Sequence, residues 1–187
     1  MYPDRHLFTQ RSRESSVFTS DNSYVWVYTS GMRGEEFQIQ QFSTVDFKKH
    51  NLIRSDGSGI MSYNPYNNYL YIGKSVFFED RYITEFHLYD ANSGEFVRKL
   101  IIDYKGDPVS SLRFCRNGLG IMYAGQTLLY LDSKSGHEYG VLPGSQNLYD
   151  SSHRESLIPD YVTTCDNYNY FVLYGQNTSG RFYAYSV

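Results

Sequence analysis

One pattern of polar and apolar positions recurs along the chain: a polar turn, an almost unbroken apolar run, then a small residue. It spans Ser20–Ser30, Tyr63–Gly73, Cys115–Gly125 and Cys165–Gly175. The turns are built from Asn, Asp, Pro and Gly, which tolerate left-handed backbone angles or bond their own main chain and so reverse direction at little cost. The runs after them, such as Tyr69-Leu70-Tyr71-Ile72, are apolar on successive residues instead of alternating. That is the pattern of a strand covered on both faces.

A second strand and a hairpin follow each run. Phe86–Tyr89 leads through Asp90-Ala91-Asn92-Ser93-Gly94 into Glu95–Leu100, and Leu128–Leu131 leads through Asp132-Ser133-Lys134-Ser135-Gly136 into Tyr139–Leu142. A short loop closing on Gly suits a type I turn followed by a left-handed bulge residue. The first unit has a degenerate form, Phe42-Ser43-Thr44-Val45-Asp46-Phe47, with Phe47 in the place of the Gly. Four strands per unit, recurring roughly every 40–55 residues, predict an all-β repeat architecture. The predicted units are 16–54, 58–105, 108–142 and 160–187, within a single domain over 1–187. Residues 143–160 form a long connection without a clear period, and Glu79-Asp80-Arg81 a shorter excursion.

Composition supports this reading. The chain of 187 residues holds 20 Tyr and 12 Phe, residues that fit a pleated, half-buried surface. Its formal charge is −3, and its basic residues are scattered, without the stripe that neutralises phosphates in a nucleic-acid binder. No apolar run approaches the roughly 20 residues of a membrane-spanning helix. The N-terminal Met1–His6 lacks the apolar stretch of a secretory signal, and two cysteines make no disulfide framework; a cytoplasmic location is the expectation.

The stretch Val109–Gly118, running on to Leu128-Leu129-Tyr130-Leu131-Asp132, resembles a WD repeat. Tyr89-Asp90 and Leu131-Asp132 stand where that family places its Trp-Asp pair, although the Trp and the usual preceding Gly-His are missing. The resemblance covers Ser16 to the C-terminus and implies a β-propeller of about four four-stranded antiparallel blades. Bacterial six-bladed and quinoprotein-like propellers share the Asp…Ser-Gly hairpin and stay open as alternatives. Phe182–Val187 matches a third strand, leaving the last blade without its outer one. WD-type rings resemble one another in closing with an N-terminal strand, here His6–Gln10. Either that strand closes a four-bladed ring, or the chain is part of a larger propeller or an assembling half.

Catalytic and metal signatures are weak. The five histidines (His6, His50, His87, His137, His153) lack metal-ligand spacing, and structural roles are expected for them. Cys115 and Cys165 align with each other and with Ser20 and Tyr63, so no ring of ligands results, and small core residues are expected. Asp90–Glu95 partly matches a calcium loop but lacks the final bidentate Glu. Gly118–Tyr123 lacks the third Gly of a dinucleotide fingerprint. Asn177-Thr178-Ser179 is a glycosylation sequon, which bears only on a secreted protein. No catalytic, cofactor or metal residue is assigned.

The functional expectation is a non-catalytic module that binds a protein or peptide. Rigid aromatics with a polar tip are frequent at interface hot spots. Those in turns and the long connection are the interaction candidates: Tyr66, Tyr149, Tyr161 and Tyr168, with His153 and Arg154 in the same connection. The alternatives are a ligand- or metal-binding, or hydrolytic, propeller using groups such as Asp21, Asp107, Asp166 and His153 at the channel mouth, and a self-assembling fragment.

Overall fold

The computed structural model describes residues 16–19, 21–29, 37–55, 60–124 and 127–142, and beyond them the backbone of five short strands. Blade one comprises β1 (Ser16–Phe18), β2 (Tyr24–Thr29), β3 (Phe37–Ser43) and β4 (Lys49–Ser55), paired in that order. Blade two comprises β5 (Ile60–Asn64), β6 (Tyr69–Phe78), β7 (Arg81–Asp90) and β8 (Phe96–Ile102). Blade three comprises β9 (Val109–Phe114), β10 (Leu119–Ala124), β11 (Thr127–Asp132) and β12 (Glu138–Val141). Every pairing is antiparallel.

The connection at 143–160 holds a two-rung hairpin, β13 (Tyr149–Asp150) with β14 (Glu155–Ser156). A fourth sheet follows, with β15 (Tyr161–Thr164), β16 (Tyr170–Tyr174) and β17 (Phe182–Ser186) in sequence order. The strand His6–Gln10, expected to close the ring, lies outside the described residues. Strands β1, β5, β9 and β15 neighbour one another in succession, so the first strand of each sheet lines a common inner side.

Two apolar layers hold the described blades together. Trp26, Ile39 and Ile53 of blade one meet Met61, Leu70, Ile72 and Tyr89 of blade two. The other face of blade two, with Tyr71, Phe86 and Leu88, meets Leu112, Phe114, Met122, Leu129 and Leu131 of blade three. Strand β6 therefore sends alternate residues into both layers, which explains its lack of polar alternation. A third cluster, Cys115, Ile121, Tyr123 and Leu128, lies on the far side of blade three.

Glycines inside the sheets are covered by aromatic rings directly across the ladder. Phe86 stands opposite Gly73 and Phe114 opposite Gly120. A Cβ would stand 2.6 Å from Phe86 Cε1 at Gly73 and 2.8 Å from Phe114 Cε1 at Gly120. The missing side chain is thus the space the partner ring fills.

The ladder also corrects the alignment of the units. Thr19, Asn64 and Cys115 close the same rung of successive blades, opposite Tyr24, Tyr69 and Leu119. Cys115 thus matches Thr19 and Asn64, not Ser20 and Tyr63. Along the second strands the sequence alignment of blade two is slipped by two residues, so Trp26 matches Tyr71 and not Tyr69, while its match to Ile121 stands. A slip of two preserves which face each residue takes, and the hydrophobic pattern alone does not register it.

Candidate interaction surface

Blade two carries the feature that stands out from the repeat. In blade three the hairpin of the second and third strands ends at the rung Ala124–Thr127, whose counterpart in blade two is Lys74–Glu85. Blade two continues through Ser75–Thr84, Val76–Ile83, Phe77–Tyr82 and Phe78–Arg81. Its flanking strands pair only as far as Gly73 and Thr84. The last three rungs therefore form a free two-stranded ribbon, at roughly 3.4 Å rise per residue about 10 Å long.

Alternation along the ribbon divides its side chains between two faces. Val76 and Ile83 turn to one face, where Ile83 is buried. Phe77 and Tyr82 share the other, with ring centroids 5.1 Å apart at 62°, and Phe77 is 61% exposed. Phe78 is exposed as well. Because the hairpin of blade three is four rungs shorter, it supplies no wall beside Phe77 and Tyr82. Arg81 at the ribbon's end is tied to Asp103 by an ion pair of 2.8 Å.

The ribbon turns on Glu79 and Asp80, at φ of 45° and 64°. Two successive left-handed residues are what a two-residue hairpin matched to strand twist requires, and Asn-Gly is its usual filling. A Glu in this region is uncommon and strained. The short excursion expected at Glu79-Asp80-Arg81 is thus the tip of a long hairpin. Sequence reasoning missed the ribbon, although Val76-Phe77-Phe78 beyond the repeat's small residue was its visible signal.

Of the six interaction candidates, Tyr66 has a described side chain. It is exposed in the turn between β5 and β6, at the end of the blade opposite the ribbon. Its amide bonds Asn64 Oδ1 at 2.9 Å, its ring packs where a Cβ on Gly118 would go, and Lys134 Nζ lies 5.0 Å from the ring centroid. Tyr149 and Tyr161 fall in β13 and β15, and their side chains, with the whole of His153, Arg154 and Tyr168, lie outside the described residues.

Several polar groups with described surroundings have structural partners, whereas the Tyr28 hydroxyl is buried without one. Asp21 Oδ1 accepts from Thr19 Oγ1 at 2.7 Å and from the Ser23 amide at 3.0 Å, bonds that hold its pKa down at about 2. Asp90 accepts from the amides of Asn92 and Ser93, and Asp132 from that of Lys134, so both shape the hairpin turns. His87 contacts Glu85, which also pairs with Lys99 at 2.9 Å and Lys74 at 3.7 Å. Burial raises the pKa of Glu85, but the Lys99 and His87 bonds and the Lys74 charge outweigh it and leave the carboxyl lowered. His137 is buried against Tyr71 and Arg98. Cys115 is a free, buried thiol with its pKa pushed up by burial, a core residue as expected; Cys165 lies outside the described residues. Among the described residues no three His, Cys, Asp or Glu side chains group as a metal site, and no helix is long and apolar enough to cross a membrane.

No protein-family model matches the chain, and no curated protein matches it. Solved structures do. The chain is similar to the WD40 repeats of RRP9 with a TM-score of 0.55 at 12% identity, over 91% of this chain and 50% of that one. Hydrazine synthase of Kuenenia stuttgartiensis gives 0.58 at 15%, over 85% and 48%. Hsv2p of Kluyveromyces lactis gives 0.51 at 12%, over 91% and 45%. The chain thus spans about half the length of these structures. Their common ground with it is the fold: this chain is built of four-stranded antiparallel sheets that resemble β-propeller blades.

Proposed function

We propose that the chain is a non-catalytic interaction module that binds a protein or peptide through the aromatic ribbon of blade two. The fold alone does not select this reading, since both a WD40-repeat protein and an enzyme share it. The observation that carries it is the ribbon: four rungs longer than its counterpart in blade three, with Phe77, Phe78 and Tyr82 exposed beyond the flanking strands. Aromatic side chains bury large area with few rotors to freeze, which makes them effective anchors. The strained Glu79-Asp80 turn adds to this, because backbone strain is retained where the surroundings or a function demand it.

The probe is a phage-displayed random peptide library selected on the intact chain. Peptides should be enriched whose affinity falls at least tenfold on Phe77→Ser with Tyr82→Ser, while the thermal midpoint holds to within a few degrees, because both side chains are partly exposed and pack on each other outside the buried layers between blades. Selected peptides that bind the double variant as tightly as the parent would overturn the assignment, as would a selection that enriches none.

A further inference from the structure

Among the described residues, blade one is covered on one face only. Residues directly opposite in an antiparallel ladder share a face. Phe18, Val25 and Phe42 therefore stand together, and Val27 and Leu52 extend the same flank, turned away from Trp26, Ile39 and Ile53. The counterparts of Val25 and Val27 one blade on are Leu70 and Ile72, which are 0% and 2% exposed because blade one covers them. On blade one, Val25, Val27 and Phe42 are only half-buried, while Phe18 is 57% and Leu52 42% exposed.

The turn at the outer end of this flank repeats the contrast. Blade one grips the corresponding turn of blade two through Trp26, Gln41 and Asn51. Blade two grips that of blade three through Asn64 and Tyr71. In blade one the turn after Ser43 leaves Val45 and Phe47 exposed. Taken together, these residues match in position the receiving side of the blade-to-blade contact seen twice among the described residues.

At the far end of the arc, β15 lies beside β9, and β16 reads Tyr-Phe-Val-Leu-Tyr, apolar throughout like the doubly covered β6. The arc also follows about half of a longer propeller, since 91% of this chain overlays on 50% of the RRP9 repeats. We propose that the open flank of blade one receives the fourth sheet, β15–β17, of a second copy of this chain, and that the reciprocal contact joins the two arcs into one ring. Such head-to-tail contacts close when the rotation between copies completes the circle.

The test uses the full chain, with a photoreactive benzoylphenylalanine at Leu52 in one run and at Phe18 in another. Isotope-labelled and unlabelled copies are mixed, and light scattering is recorded over a range of concentrations. The expected result is twice the chain mass, with mixed-isotope cross-links from position 52 to the strands at 161–186. Leu52→Glu should weaken the association at least tenfold and leave the circular dichroism unchanged. If that variant misfolds, the cross-links on the otherwise unaltered chain decide alone. A monomer whose cross-links stay within one chain would overturn the proposal in favour of a ring closed by a single copy. An association cross-linked through any other surface, or a monomer without cross-links, would overturn it too.

Discussion

Trp26 and Tyr71 occupy the same rung of successive blades, and each reaches the hairpin turn of the blade that follows. Trp26 Nε1 donates to the Ala91 carbonyl at 2.9 Å, and Tyr71 Oη lies 2.7 Å from His137 Nε2. The blades are thus joined by polar latches as well as by their apolar layers. The same turn carbonyl of Ala91 accepts from Gln41 Nε2 at 2.9 Å, so the first latch is doubled.

That doubling separates two variants. Trp26→Phe removes one donor and part of a fully buried ring, but Gln41 still satisfies Ala91. We expect a loss of about 1–3 kcal/mol, mostly from packing. Adding Gln41→Leu strands a buried carbonyl, and its cost should exceed the cost in the parent background by about 1 kcal/mol or more. Urea unfolding followed by circular dichroism measures the cycle, since Trp26 is the chain's single tryptophan and its fluorescence is lost with it. Additive losses would mean the two donors do not share the latch.

The turns and doubly covered strands were legible from residue order because each rests on local chemistry. Asp90 and Asp132 mark their hairpins through short bonds to amides two or three residues on. Phe47, read as standing in the place of a Gly, has φ of 55° against 73° at Gly94. The latches were not legible, because Trp26 and Ala91 lie 65 residues apart and nothing local to either announces the other. The ribbon was missed for a different reason. A hairpin lengthened by paired residues keeps the strand pattern, so only comparison of ladder lengths between blades exposes it.

The second latch predicts a pH dependence. Burial, and then the Arg98 guanidinium, push the His137 pKa down to about 4 from 6.5. Between those values the unfolded chain binds a proton that the folded chain refuses. Stability at His137 is therefore fully present above pH 6.5 and declines as pH falls to about 4, where the loss is complete. His137→Asn should flatten that part of the profile, and Asn tolerates the φ of 71° found here. The Asp21 carboxyl, at about 2, acts lower: its contribution holds above its ordinary value of 3.8 and fades towards pH 2. Denaturation midpoints measured from pH 8 to 4 in both proteins check the His137 term. An unchanged slope in His137→Asn would remove it.

Adding one methyl group at a covered glycine tests the cross-strand packing. The Cβ of Gly73→Ala would meet Phe86 Cε1 at 2.6 Å and Ile60 Cβ at 3.3 Å, so the ring must leave its place in the layer between blades two and three. We expect a loss of about 1–3 kcal/mol. Phe86→Leu in the same chain should recover part of it, because the shorter side chain no longer overlies the glycine. Losses that simply add would show that the ring moves aside without strain.

The ribbon's turn separates strain from recognition. Glu79 and Asp80 hold left-handed angles that Asn and Gly adopt more readily. Replacing the pair by Asn-Gly should leave the ladder intact and relieve part of a strain of order 1–3 kcal/mol for such residues. The larger conformational entropy of Gly in the unfolded chain offsets some of that gain. The net expectation is a rise of about 1 kcal/mol, read by urea unfolding. Peptide binding should then stay within a factor of about two of the parent, because Phe77 and Tyr82 keep their rung and exposure. Binding that falls tenfold on this change, with the fold unaltered, would transfer the contact from the aromatic face to the two carboxylates at the tip. Partner selection by charge would follow from that result, and basic peptides would replace aromatic ones as the expected ligands.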